Sequence, residues 1–156
     1  MGLAGHNGIR GQKGEPGQNY TAPPTSAFHF GRSSNLLITS GYQIITFNDG
    51  RLNIGDDMST HTGVFTCLIP GLYYFSYNFL AAPHSRYGLR IHLLLNGEYI
   101  KSQIYMYAMS KYLMQSQSII LNLNSDDEVW LTANSNTYIH GDSDINVFTG
   151  FLIHAT

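Results

Sequence analysis

Glycine recurs at every third position near the start of this chain, and this period constrains the fold more than any other feature of the sequence. It occupies positions 2, 5, 8, 11, 14 and 17, which gives six consecutive Gly-X-Y triplets. Only glycine fits at the crowded axis where three polyproline-like chains wind around one another. A flexible glycine-rich linker also needs glycine, but it has no reason to keep the period. Residues 1–18 are therefore predicted to be a collagen-like segment, which requires three chains.

The collagen-like segment is too short to hold three chains together by itself. It contains a single proline, Pro16, at a Y position, so the rest of the chain must supply the association. Residues 19–26 are predicted to be a linker, polar at first and ending in consecutive prolines that favour an extended backbone. The linker begins with the sequon Asn19-Tyr20-Thr21, which makes Asn19 a candidate glycosylation site. Such tripeptides also occur by chance, so both interpretations stay open.

Residues 27–156 are predicted to form one all-β domain. Aromatic residues make up 13% of the chain and charged residues only 12%, and aromatic side chains fit a pleated, half-buried surface. Short apolar or alternating segments are separated by turn-forming residues at the spacing expected of a sandwich. They predict strands at 27–30, 43–47, 64–67, 72–80, 89–95, 119–123, 129–133 and 147–153, a long loop at 48–62 and a tight hairpin turn at Asn96-Gly97.

The charge pattern and the side-chain inventory argue against several classes of protein. The net charge is −2 without a block of Lys or Arg, so nucleic acid and anionic membranes are poor candidate partners. No apolar run reaches the roughly 18 residues that a membrane span needs. Cys67 is the only cysteine and is predicted to lie in the core. We find no nucleophile motif, phosphate-binding loop or catalytic carboxylate pair, and therefore expect a protein that is not an enzyme.

One long motif identifies a family. The segment 63–77, GVFTCLIPGLYYFSY, resembles the signature of the C1q-like domain family, Gly-x-Phe-Thr-Cys-x-x-Pro-Gly-x-Tyr-Tyr-Phe-Ser-Tyr. Three more pieces fit in order, with ITFN at 45–48, DEVWL at 127–131 and FTGFL at 148–152. The second of these departs from the usual Gly-Asp-x-Val-Trp-Leu. We assign the resemblance to residues 27–156 as a whole.

The resemblance implies a ten-stranded jelly-roll β-sandwich of the type shared with the tumour necrosis factor group, assembled as a homotrimer about a threefold axis. It also implies secretion, since members are extracellular recognition proteins that commonly carry a collagen-like segment. Aromatic and aliphatic side chains pack between subunits in this family. We assign to the trimer core Tyr73, Phe75, Tyr77, Phe79, Met106 and Met114.

Several family members bind calcium near the apex of the trimer through aspartates that precede a Ser-x-Ser strand. The corresponding positions here hold Met106 and Met114, and a thioether cannot replace a carboxylate as a ligand for a hard cation. We therefore predict neither calcium at that site nor any other cofactor. The surrounding stretch, 104–109 with 113–114, is apolar for a loop. It either packs against its threefold mates or forms an adaptable binding patch.

The resemblance leaves two functional hypotheses. The first is a pattern recognition protein of the complement or lectin-like type, whose head trimers bind a carbohydrate, a microbial surface or an immune protein and gain avidity in higher oligomers. The second is a matrix or hormone-like trimer that binds a receptor or builds a network. The ligand would be read by variable loops at 32–42, 82–87 and 135–144. Arg and Tyr dominate binding hot spots, and the candidate ligand-binding residues are Arg86, Tyr87, Arg90 and Tyr138.

A weaker motif allows a cation site. Asp142, Asp144 and Asn146 imitate the start of an EF-hand loop, but Val147 and Ile153 stand where that loop needs Gly and Glu. Together with His140, the two aspartates could still hold a cation on a surface loop. A solvated turn is the simpler interpretation.

Overall fold

The structure is a computed structural model that describes residues 1–2, 11–14, 22–84, 86–108 and 110–156. Most of the predicted collagen-like segment and the sequon residue Asn19 lie outside the described residues. The described part contains β-strands and no helix. Its strands are β1 (Ala27–Gly31), β2 (Leu36–Ile38), β3 (Tyr42–Ile44), β4 (Asp49–Ile54), β5 (Val64–Thr66), β6 (Gly71–Ala81), β7 (Leu89–Leu95), β8 (Tyr99–Met106), β9 (Leu113–Leu123), β10 (Glu128–Asn134), β11 (Thr137–Ile139) and β12 (Val147–Ala155).

Ten of these strands form two five-stranded sheets, which confirms the predicted ten-stranded sandwich. The first sheet has the order β4-β1-β12-β6-β9. The second has the order β3-β10-β7-β8, and β5 pairs with the same edge of β10 as β3. The remaining strands, β2 and β11, pair as a small ribbon. No helix in the described residues is long and apolar enough to cross a membrane.

The core lies between the two sheets, and it contains four residues that we assigned to the trimer core from the sequence. Tyr73, Phe75, Tyr77 and Phe79 alternate along β6 and are 0% exposed in the single chain. A side chain without exposed surface cannot contact another subunit, so these four belong to the protomer core and not to the trimer core. The hydroxyl groups of the two tyrosines have partners within the chain: Tyr73 donates to the Ile69 carbonyl at 2.7 Å, and the Tyr77 hydroxyl is hydrogen-bonded to the Ser102 hydroxyl at 2.9 Å.

Several predicted loops contain strands. The polar segment 48–62 includes β4, which pairs with β1 at the sheet edge. The apolar stretch at 104–109 and 113–114 contains the end of β8 and the start of β9, and the predicted variable loops contain β2 and β11. The predicted hairpin turn is present, because Asn96 and Gly97 both have positive φ angles, of 53° and 75°.

The strand registers define two ends of the sandwich. Gly71 at the start of β6 pairs with Leu123 and Ala155, so these residues share one end, which we call the basal end. The linker before β1 and the loops 55–63, 67–70, 96–98 and 124–127 also lie there. The opposite, apical end carries the described parts of loops 32–35, 82–88, 107–112, 135–136 and 140–146.

Candidate functional site

The backbone at the apical end brings the predicted ligand-binding residues close together. Gly88 bridges to Thr137 of β11, with the Gly88 amide donating to the Asn136 carbonyl at 3.0 Å and the Tyr138 amide donating to the Gly88 carbonyl at 2.9 Å. The hydroxyl of Thr137 accepts the Arg90 amide at 3.0 Å. A Cβ at position 88 would collide with the carbonyl oxygen of Met106, so this close approach requires glycine.

Aromatic rings connect the predicted residues. The His84 ring lies 4.6 Å from the Tyr87 ring and 5.7 Å from the Tyr138 ring, centroid to centroid. These three rings form one cluster beside the β11 bridge. The structure therefore brings Tyr87 and Tyr138 into the same cluster through His84, a residue that the sequence did not single out.

Arg90 borders a second aromatic cluster. The Arg90 guanidinium carbon lies 5.0 Å from the centre of the Tyr105 ring, within the range of a cation–π interaction. The Tyr105 ring meets the Tyr107 ring edge-on at 5.3 Å. Tyr107 is 72% exposed, so this aromatic surface faces solvent. The sequence indicated it only through the alternative that the stretch 104–109 forms a binding patch.

A groove of about 330 Å³ lies beside the second aromatic cluster, and we call it the apical groove. Its lining consists of Arg86, Gly88, Arg90, Met106, Tyr107, Ala108 and Asn136. Two arginines and no acidic residue line it. Such a groove suits an anionic or hydroxyl-rich ligand, because arginine donates several hydrogen bonds and tyrosine offers a flat surface for stacking.

A buried amide holds the apical loops in place. Asn146 is 0% exposed; its Oδ1 accepts the Leu80 amide at 2.7 Å, and its Nδ2 donates to the carbonyls of His140 at 2.6 Å and Arg32 at 3.4 Å. The buried guanidinium of Arg32 donates in turn to the Thr46 carbonyl at 2.7 Å. Burial lowers the pKa of Arg32.

The residues of the suggested cation site do not converge. Asp144 forms an ion pair with Arg51 at 2.6 Å, and Oδ1 of Asp142 accepts the Asp144 amide at 3.0 Å. The ring of His140 lies 5.5 Å from the ring of Tyr112. Within the described part of the chain, no group of three or more His, Cys, Asp or Glu residues could hold a metal ion. The loop is organised as a hydrogen-bonded turn.

The outer face of the first sheet exposes apolar side chains, and we call it the assembly face. It comprises Leu52, Ile54, Met114, Ile120, Phe151 and Ile153, each between 42% and 57% exposed. Phe151 and Ile120 flank Tyr74 in the β6 registers, and the Phe151 and Tyr74 rings are 5.2 Å apart. An exposed apolar sheet face of this kind is typical of protein interaction sites. Met114 lies on this face, whereas Met106 lines the apical groove.

Two packed five-stranded sheets without a helix in the described residues define an all-β sandwich of the jelly-roll type. Residues 27–153 match the family model of the C1q domain. The chain therefore belongs to the C1q-domain family, as its signature predicted.

Named relatives agree with this placement. A complement C1q subcomponent of the rat is 35% identical over 111 residues, which cover 70% of this chain and 43% of that protein. Mouse complement C1q tumor necrosis factor-related protein 1 is 30% identical over 118 residues, which cover 76% of this chain and 41% of that protein. The chain thus spans less than half the length of these relatives.

Solved structures give the same fold. The globular domain of zebrafish complement 1qA protein aligns with a TM-score of 0.67 and 26% identity, covering 85% of this chain and 100% of that one. Murine APRIL aligns with a TM-score of 0.63 and 10% identity, covering 83% of this chain and 100% of that one. At that identity the second likeness shows the fold alone.

Proposed function

We propose that the protein is a secreted, homotrimeric recognition protein, not an enzyme, that binds a carbohydrate, a microbial surface or an immune protein through its apical groove. One observation carries this proposal: Arg86 and Arg90 line one groove with the exposed Tyr107 at the loop end of a C1q-domain head, and Arg90 and Tyr107 both contact the ring of Tyr105. The complement C1q relatives support the immune assignment.

A matrix or hormone-like role is the second candidate, in which the same groove binds a protein receptor. The similarity to C1q tumor necrosis factor-related proteins from mouse and human favours it. Both candidates use the same side chains but different ligands, so they are separated by what binds and not by where it binds.

The proposed trimer uses the assembly face. Six apolar side chains on one sheet are exposed in the single chain, and burying them against two other copies supplies the favourable free energy of association. The repeated Gly-X-Y triplets support the same stoichiometry. Sedimentation of the full chain at micromolar concentration is expected to give the mass of three 17.4 kDa chains, and a single-chain mass would refute the proposed assembly.

Binding is tested with the full chain on a glycan array and in a receptor screen. The variant Tyr107→Ala is expected to abolish most of the signal, because an aromatic anchor at the centre of a contact often contributes about 2 kcal/mol or more. Tyr42→Ala is the matched control, since Tyr42 is 73% exposed and lies on β3, at the opposite edge of the second sheet from β8 and outside the groove lining. A signal that survives Tyr107→Ala and an Arg86→Ala, Arg90→Ala double variant would exclude the apical groove.

A further inference from the structure

The basal end contains a buried carboxylate without a partner. Asp57 is only 5% exposed, and neither of its carboxylate oxygens has a hydrogen-bond partner. Its backbone is well held, because the Asp57 carbonyl accepts the Thr66 amide at 2.8 Å. Burying a polar group costs free energy unless it is hydrogen-bonded, and burying a charge costs more unless it is paired. The described part of the chain therefore supplies no hydrogen-bond donor to offset the burial of this carboxylate.

Asp57 forms part of the wall of a groove of about 240 Å³, which we call the basal groove. The lining is acidic, hydroxylic and partly apolar, without a basic side chain: Asp56, Asp57, Ser59, Thr62, Val64, Thr66, Leu68 and Glu128. Three carboxylates around one groove favour a cationic occupant.

The shape and chemistry of the groove favour an organic cation over a metal ion. Among the described residues, the carboxylates do not form a cluster that could hold a metal. The groove has the volume of roughly eight liquid waters, which is far more than one ion fills. Leu68 is 56% exposed and lines the groove with Val64. Apolar surface beside carboxylates suits a long basic side chain, whose methylene stem packs while its charged head is hydrogen-bonded.

We propose that the basal groove receives an arginine side chain from a partner polypeptide, with the guanidinium group paired to Asp57. Neither oxygen of Asp57 has a hydrogen-bond partner, although both are buried, and the planar guanidinium fork donates two parallel hydrogen bonds to a carboxylate, whereas a lysine ammonium acts as a point charge. Glu128 supplies a second negative charge along the groove. The pairing requires the Asp57 side chain to turn both oxygens toward the groove that it lines.

The test uses the isotopically labelled full chain and three blocked tripeptides, acetyl-Gly-X-Gly-amide with X as arginine, lysine or citrulline. Citrulline keeps the stem and the planar end group of arginine, but it is uncharged and has a carbonyl oxygen in place of one terminal nitrogen. We expect the arginine peptide to give saturable amide shifts in residues 55–66 and at Glu128. The lysine peptide should bind several-fold more weakly, and the citrulline peptide should give no saturable shifts there.

Three variants separate local pairing from net charge. Asp57→Asn is expected to weaken binding of the arginine peptide at least about tenfold, as loss of a charge-assisted bidentate pair does. Glu98→Gln removes one charge from the same end of the molecule outside the groove, and should leave binding unchanged. Glu128→Gln serves as a second groove variant with a few-fold effect.

Three results would overturn the proposal. Equal binding of the citrulline peptide would show that charge pairing is not involved. The same shifts on adding calcium chloride alone would identify a metal site instead. Undiminished binding by a folded Asp57→Asn variant would exclude that carboxylate, and if this variant does not fold, undiminished binding by Glu128→Gln refutes the groove. None of these measurements uses the apical groove, so their failure leaves the proposed function untouched.

Discussion

Replacing Asn146 by alanine tests how the apical end is held together. The side chain is fully buried and makes three hydrogen bonds, to the Leu80 amide and to the carbonyls of His140 and Arg32. A net intramolecular hydrogen bond contributes about 0.5–1.5 kcal/mol, and a buried group left without its partner costs about 1–3 kcal/mol. The substitution should lower the free energy of unfolding by about 2–4 kcal/mol.

Thermal denaturation at fixed protein concentration measures this effect. For a domain of this size, 1 kcal/mol corresponds to about 4 °C in Tm, so Asn146→Ala should melt about 8–16 °C below the parent. Asn124→Ala is the control, because Asn124 is exposed in a basal loop and surface substitutions usually change stability by less than about 0.5 kcal/mol. A Tm shift below about 3 °C for Asn146→Ala would show that the apical loops do not depend on this amide.

Three further outcomes are expected. Burial raises the pKa of Tyr77 to about 12, so on raising the pH its hydroxyl group ionises in the unfolded chain before it does so in the folded one. The urea midpoint of the parent protein should therefore fall as the pH rises from 10 to 12. In Tyr77→Phe the midpoint should fall less steeply over the same range. Ile120→Asp should convert trimer to monomer in sedimentation, because it buries an unpaired charge in the proposed interface. Ile100→Asp is the control and should leave the trimer intact, since Ile100 is similarly exposed (53%, against 55% for Ile120) but lies on the other sheet. Gly63→Ala should lower Tm by about 8 °C or more, since φ is 73° and a Cβ would collide with the Ile45 carbonyl oxygen.

The long strands and the core could be predicted from sequence because their signal is local. Tyr73, Phe75, Tyr77 and Phe79 alternate with period two, and this period predicts that they share one face. The strand β4 escaped prediction because its sequence, DGRLNI, has few strand-forming residues. It is a strand because it pairs with β1, and pairing partners cannot be read from propensity.

The subunit interface was assigned to the wrong parity for a physical reason. The segment 72–80 is apolar at Leu72, Tyr74 and Leu80 as well as at its odd positions. A strand with two apolar faces has one face in the protomer core and can place the other in an interface, and periodicity alone does not say which is which. The exposure of Ile120 and Phe151 beside Tyr74 identifies the outer face.

The candidate site was predicted only in part. Residue type and loop position selected Arg86, Tyr87, Arg90 and Tyr138, and the structure places all four at the apical end. The ring contacts of Tyr105 and Tyr107 depend on β8 being a strand beside β7, which the sequence did not predict. The unpartnered carboxylate of Asp57 is equally invisible in sequence, because a missing hydrogen-bond partner is a property of the folded surroundings.

The strands of the assembly face run directly into the apical loops, and this connects the proposed trimer to the proposed binding. The strand β6 leads into the loop with Arg86 and Tyr87, and β9 begins at Leu113, just after the loop that starts with Tyr107. A trimer built through these two strands fixes the base of both loops and points three apical grooves in one direction along its axis. A ligand with repeated units can then occupy several grooves at once, so weak single contacts add up to tight binding. Loss of the trimer should therefore reduce binding to a multivalent surface far more than binding to a single soluble unit.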